Sequence, residues 1–192
     1  MQEREILDIF AKTGAYKQGH FRLSSGLHSG FYLQCALVLE NPIIVERLCS
    51  ALANKFRDVE PDVVIGPALG GIVLAYELAR ALGARAIFTE RDDAGNMTLR
   101  RGFMVSPNNK VLVAEDVLTT GKSVNEVIHL LKKESIIPVG VASLVNRSGG
   151  TVTFGNVRSE SLLNLNVPTF TPADCPLCKE GLAIEKPGSR KQ

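Results

Sequence analysis

The hydrophobic rhythm of this chain changes twice. Over residues 2–13 apolar side chains recur at helical spacing, Ile6, Leu7, Ile9 and Phe10, and Gly14 ends the run, which predicts a short amphipathic helix. Across residues 15–40 the period shortens toward alternation, and "SSGLHSG" breaks it with turn residues. Two strands of a hairpin are expected there, a hood set apart from the main sheet. Asn41 then offers a helix cap with Pro42 at the first helical position, and Val45, Leu48, Leu52 and Phe56 form its core face.

From residue 62 the pattern becomes regular. Nearly unbroken apolar runs, "DVVIG" (62–66), "ARAIFTE" (84–90), "KVLVAE" (110–115) and "PVGVASLVN" (138–146), alternate with helical patterns over about 71–82 and 121–134. A polar loop and a short strand around "TLRRGFMV" follow the second run. Strands that are apolar on both faces and alternate with helices predict an α/β fold, a doubly wound, mainly parallel sheet with helices on both faces. The expected layout is one domain over 1–192, with the hood at 15–40, the core sheet at 62–147 and a mobile lid loop at 89–101. The polar tail "EKPGSRKQ" is expected to fray.

Composition narrows the class. The chain has 192 residues, 45% hydrophobic and 22% charged, with a formal net charge of +2, which fits a globular domain and lacks the basic footprint of a nucleic-acid binder. The most apolar stretch, "VVIGPALGGIVLAYELARAL", is interrupted by Gly66, Pro67, Gly70, Gly71 and Glu77, so no membrane partner is expected. The start, "MQEREILDIFAKTG", has no secretory-signal order, and a cytoplasmic location is the default. Cys35 and Cys49 lie in apolar contexts and read as packing residues of a reduced compartment. Cys175 and Cys178 form "CPLC"; zinc needs four ligands and no second pair stands out, so a tight proline turn is the favoured reading.

In open parallel sheets ligands bind beyond the carboxyl ends of the strands, where strand order reverses. That rule selects "GPALGG" (66–71), "EDVLTTGKS" (115–123) and "NRSGG" (146–150). In the second, a Walker loop is excluded because its first glycine would fall on Asp116. The amides of Thr120, Gly121, Lys122 and Ser123 open a helix and suit a monophosphate, with hydroxyls from Thr119, Thr120 and Ser123. Glu115 and Asp116 repel a phosphate at contact distance, but carboxylates accept hydrogen bonds from a sugar diol. A sugar 5-phosphate satisfies both halves of the stretch.

"VLVAEDVLTTGKSV" resembles the ribose-phosphate signature of the type I phosphoribosyltransferases. Further stretches, "GHFRLSSGLHSGFYLQCALVLENP", "VIGPALGGIVLA", "TLRRGF", "SLVNRSGG" and "CPLCKEGLAIEKPGSR", resemble the members that act on orotate, over nearly the whole length. The resemblance implies 5-phosphoribosyl 1-diphosphate and orotate as substrates, Mg²⁺ held mainly by substrate with no certain protein ligand, and a homodimer. It implies ribose 5-phosphate on Glu115, Asp116, Val117, Leu118, Thr119, Thr120, Gly121, Lys122 and Ser123. Diphosphate would lie on Ala68, Leu69, Gly70, Gly71 and Arg91. Orotate would meet Thr119, Arg147, Ser25, Gly26 and Phe31, the last in alternative to Tyr32. The catalytic groups expected are Asp116 and Glu115 with the lid cations Arg91, Arg100 and Arg101. The lid departs from its relatives in carrying Asp92 and Asp93 and no lysine or histidine, and the hood has Ser24 where they carry a lysine. A purine-type phosphoribosyltransferase and a nucleotide- or RNA-binding regulator of the same fold are the alternatives.

Overall fold

The computed structural model describes residues 1–23 and 25–187; Ser24 and the end of the tail, 188–192, lie outside the described residues. In chain order the elements are α1 (Glu3–Lys12), β1 (Tyr16–Arg22), β2 (His28–Leu33), α2 (Ala36–Leu39), α3 (Pro42–Ala53), β3 (Val63–Pro67) and α4 (Gly70–Leu82). They continue with β4 (Arg85–Arg91), β5 (Met97–Leu99), β6 (Val111–Leu118), α5 (Lys122–Lys133), β7 (Gly140–Asn146), β8 (Ser159–Asn164), β9 (Thr169–Phe170) and α6 (Pro176–Lys179).

Local chemistry explains the element ends. The Asn41 side chain accepts from the amides of Ile43 and Ile44 at 3.2 and 3.3 Å, a cap contributing about 1 kcal/mol to α3. Gly83 closes α4 in the left-handed region at φ 70°, where a residue with a Cβ is strained.

Six strands form the main sheet in the order β5-β4-β3-β6-β7-β8. All neighbours are parallel except β4 and β5. Strand alternation sorts the core into two layers. Val64, Leu112, Ala142 and Leu144 face α1, α3 and α4, through residues such as Phe10, Leu48, Leu74 and Leu78. Val63, Ile65, Val111, Val113 and Val141 face the other way, onto Val124, Val127, Ile128 and Leu131 of α5. The chain leaves β3 toward β4 but leaves β6 toward β7 on the opposite side. Crossovers of one hand in opposite directions put α4 and α5 on opposite faces, giving the doubly wound arrangement.

The sheet reaches past residue 147, where the pattern of apolar runs stops. β8, "SESLLN", adds as a sixth strand with only Ser161 and Leu163 buried, so its half-exposed alternation hides it among loop residues. The hood is also more than a hairpin: β9 pairs with β2 to make a three-stranded sheet, and residues 36–39 form the short helix α2.

Candidate active site

Strand order reverses between β3 and β6, so the carboxyl ends of these two strands leave a crevice between the loops that follow them. After β3 the chain turns through Ala68 and Leu69, joined by a cis peptide, into α4. The turn is tight because Gly66 and Gly71 approach backbone to backbone: a Cβ on Gly71 would stand 3.2 Å from the Gly66 Cα. The amide of Ala68 donates to Thr89 O at 2.8 Å and anchors the turn to β4. Leu69 and Gly70 lie exposed at the start of α4.

Glu115 and Asp116 are the fifth and sixth residues of β6, inside the strand and not beyond its end. Glu115 is buried, and its carboxyl accepts from the Asp116 amide at 3.2 Å. Burial, with the Asp116 charge added, pushes its pKa up to about 9. The Asp116 carboxylate accepts from the Val117 amide at 2.9 Å and lies beside Gly70 at the amino end of α4. Beneath the pair, the Cys35 thiol sits 3.9 Å from Asp116 O, and its pKa is raised by burial and by both acids.

Beyond Leu118, Thr119 and Thr120 are exposed and Gly121 starts α5 at φ 70°. The loop is pressed onto the segment after β7, since a Cβ on Gly121 would meet Val152 Cγ1 at 2.7 Å. Within the described residues no hydrogen bond takes up the amides of Thr120, Gly121 or Ser123. These donors, at the positive end of a twelve-residue helix, form an anion cradle. Lys122 adds an exposed cation, and Ser123 is half-buried beside it.

Arg147 follows β7, and its amide donates to Leu118 O at 2.9 Å, which fixes it next to the cradle. Its guanidinium has no hydrogen-bond or ion-pair partner among the described residues. Burial pulls its pKa down, the mark of a charge partly desolvated without a counter-ion. The Tyr32 phenol of the hood is near enough to act on that charge. Next to it, Asn146 accepts from the Ser148 amide and hydroxyl at 2.9 and 2.7 Å and shapes the turn that carries Gly149 and Gly150.

The hood and the 89–101 segment are placed differently from expectation. Of the two hood aromatics, Tyr32 is near enough to act on the Arg147 charge, while Phe31 stacks on Tyr16 with ring centroids 5.5 Å apart and lines a cleft with Leu177 and Leu182. Exposed Ser25 and half-buried Gly26 form the tip of the hairpin, where the Gly26 amide donates to Leu23 O at 2.9 Å. Residues 89–101 form an antiparallel hairpin of β4 and β5, with Asp92 accepting from the amides of Ala94 and Asn96 across the turn. Arg91 pairs with Glu126 of α5 and donates to Gly95 O at 2.7 Å. Arg101 holds Glu90 with two bonds of 2.7 and 2.8 Å and lies over the Phe88 ring. Arg100 is exposed. Two of the three expected cations, Arg91 and Arg101, are thus parked on neighbouring acids.

The proline turn expected at "CPLC" is present, opening the four-residue α6. The missing second pair of ligands is not missing, however: His20 and His28 of the hood meet Cys175 and Cys178. Spacing cannot reveal a contact between residues 155 positions apart; only the two histidines flanking the hairpin turn hinted at it.

The glycine turn, the acid pair, the anion cradle and the unpaired arginine lie at the carboxyl ends of three adjacent strands, β3, β6 and β7. The family profile for the phosphoribosyl transferase domain matches residues 37–154, which contain all four. The chain belongs to the phosphoribosyltransferase family. It is 53% identical to the orotate phosphoribosyltransferase of Desulforamulus reducens, over 100% of this chain and 99% of that one. It is also 53% identical to that of Caldicellulosiruptor bescii, over 100% of both. The crystal structure of orotate phosphoribosyltransferase from Aeropyrum pernix superposes with a TM-score of 0.70 at 25% identity, covering 83% of this chain and 93% of that one. Among the described residues no helix is long and apolar enough to cross a membrane.

Proposed function

We propose that this member of the phosphoribosyltransferase family transfers the 5-phosphoribosyl group from 5-phosphoribosyl 1-diphosphate to a ring nitrogen of orotate, yielding orotidine 5-phosphate and diphosphate in pyrimidine nucleotide synthesis. One observation carries the choice of acceptor: the partly buried guanidinium of Arg147, without a partner among the described residues, near enough to Tyr32 to feel its charge and held by its own amide next to the anion cradle. A planar guanidinium takes a carboxylate in a two-point fork, and an aromatic neighbour offers a face to a flat ring.

In this reading the 5-phosphate lies on residues 119–123, and Glu115 and Asp116 take the ribose hydroxyls. Glu115, carrying a proton at neutral pH, can both donate to and accept from a diol. The diphosphate lies over Ala68–Gly71 at the amino end of α4, where the amides of Leu69, Gly70 and Gly71, without partners among the described residues, favour an anion. The C1–oxygen bond to diphosphate breaks, a bond from C1 to the orotate nitrogen forms, and the proton of that nitrogen is released. Arg91 and Arg100 or Arg101 would stabilise the departing charge once the hairpin closes over the turn. The exposed ion pairs that now hold Arg91 and Arg101 are worth only about 0–1 kcal/mol each and do not oppose such a movement.

The donor set fits Mg²⁺ bound chiefly through substrate: Asp116 lies beside a Glu115 that holds its proton, and no group of three carboxylates converges among the described residues. Asp116 and Glu115 are the residues that would face it. Bound there, the ion supplies neutralisation of the diphosphate as its charge grows.

A homodimer fits the exposed apolar stripe Leu69, Val73 and Tyr76 along α4, which a second copy would cover. Sedimentation velocity on wild type and on Tyr76→Glu tests it: a dimer that dissociates in the variant is expected, and a wild-type monomer at micromolar concentration overturns it. A cytoplasmic location accompanies this metabolic role. The activity itself is tested by following orotate absorbance with donor and Mg²⁺, with adenine as the control acceptor. Consumption of orotate is expected; turnover of adenine with orotate untouched would move the chain to the purine-specific branch.

A further inference from the structure

On sequence alone the "CPLC" pair lacks two ligands; the fold supplies them from the other end of the chain. His28 opens β2, and His20 sits where the register of β1 shifts between Gln18 and Phe21. That irregularity brings the two imidazoles together, His20 Nε2 lying 3.1 Å from His28 Nδ1. Cys178 Sγ stands 3.2 Å from His28 Nδ1 and 3.6 Å from His20 Nε2, and Cys175 Sγ is also 3.6 Å from His20 Nε2. All four atoms fall within 4.8 Å of one another.

Four of the six separations, 3.1, 3.2, 3.6 and 3.6 Å, are close to the edges of a tetrahedron around one ion, and the other two are no longer than 4.8 Å. Bonds of about 2.3 Å to sulfur and about 2.0–2.1 Å to nitrogen give edges of about 3.3 Å between nitrogens, 3.6 Å between nitrogen and sulfur and 3.8 Å between sulfurs. As a hydrogen-bond cluster the same group is frustrated. His20 Nδ1 is 2.8 Å from Leu182 O, which can only accept, so that nitrogen carries the proton and Nε2 has a single lone pair. His28 Nδ1 and two thiols crowd onto that lone pair, and one cation would use all four lone pairs at once. The Leu182 carbonyl is the outer partner that orients a ligating histidine. His20, His28 and Cys175 are buried, and exposed Cys178 leaves an entry path.

We propose that His20 Nε2, His28 Nδ1, Cys175 Sγ and Cys178 Sγ bind one structural Zn²⁺ that clamps the carboxyl-terminal segment to the hood. Two thiolates and two imidazoles in a tetrahedron select zinc over the hard cations that carboxylates hold, and four protein ligands leave no open position for chemistry. The site lies on the hood, apart from the acid pair of β6. The segment it clamps already touches the hood through backbone: the Glu185 amide donates to His20 O at 2.8 Å, and the Arg22 amide donates to Glu185 O at 2.8 Å. Two such bonds are a weak hold for residues 171–187. The ion would make the hood and this segment one unit, which keeps β2, and Tyr32 with it, in position.

The test uses the full wild-type chain, purified without chelator and under reducing conditions. Elemental analysis is expected to give one Zn²⁺ per chain. Exchange into Co²⁺ is expected to give the visible bands of a tetrahedral site together with thiolate-to-cobalt charge transfer. Removing the metal is expected to lower the thermal midpoint by at least about 5 °C and to expose residues 171–187 to protease first. Cys178→Ser is expected to lose the metal, while His28→Cys, which supplies another soft ligand, keeps it. Folded, reduced wild type with less than about a tenth of an equivalent of zinc and no uptake of Co²⁺ would overturn the proposal. So would a Cys175–Cys178 disulfide in the freshly isolated protein.

Discussion

The Asp116 carboxylate lies against the backbone of Gly70: a Cβ built on Gly70 would stand 2.8 Å from each of its oxygens. The turn after β3 and the acids of β6 are therefore one surface, and a single methyl group intrudes on both. Gly70→Ala must push Asp116 off its 2.9 Å bond with the Val117 amide. The expected result is a fall in kcat/KM for the ribose donor of about 10-fold or more, with a thermal midpoint close to wild type. A donor KM unchanged in Gly70→Ala would separate the turn from the donor site.

Glu115 makes the unliganded protein sensitive to alkali. Its ordinary pKa of 4.5 rises to about 9 in the fold, so over that window the native state keeps a proton that the unfolded state has released. Stability from this group is complete below about pH 4.5 and is lost as pH rises toward 9, with a slope of up to ~1.4 kcal/mol per pH unit. Thermal midpoints from pH 5 to 9 should fall less in Glu115→Gln than in wild type. Parallel profiles would show that another group is responsible.

Asp116→Asn keeps the shape of the side chain and removes its charge. Turnover is expected to drop by at least about 100-fold, with the fold intact by circular dichroism. Activity within a few fold of wild type would remove Asp116 from the reaction.

Arg147 and its surroundings predict a split between the two substrates. Arg147→Ala should raise the orotate KM by about 100-fold while leaving the donor KM nearly unchanged, and Arg147→Lys should recover only part of the loss because an ammonium lacks the planar fork. Initial rates with each substrate varied in turn measure both constants. An equal rise in the two would place Arg147 outside the base pocket.

The pair Arg91–Glu126 distinguishes a resting contact from a working one. Glu126→Ala removes a half-buried partner of a solvent-accessible pair and should change stability by no more than about 1 kcal/mol without lowering kcat. Arg91→Ala should lower kcat by about 10-fold or more. If both variants behave alike, Arg91 serves the hairpin's attachment to α5 and not the diphosphate.

Much of this protein is legible without coordinates because the relevant information is local. Four apolar runs and two amphipathic periods lie within stretches of about fifteen residues, and a parallel sheet with helices on both faces follows from their alternation. The acid pair and "TTGKS" are contiguous, so their chemistry can be read as one unit. What stays hidden depends on residues far apart in the chain. β8 is a half-exposed strand whose place is set by pairing with β7 and not by its own pattern. Arg91 finds Glu126, and Phe31 stacks on Tyr16, because strand register and helix position decide which side chain faces which neighbour. The clearest case is "CPLC", which by itself is a turn. Its two thiols become half of a four-ligand cluster only because a register shift in β1 and the path of the last described residues carry His20 and His28 to them. Periodicity records which face of an element is buried; it carries no record of what that face meets.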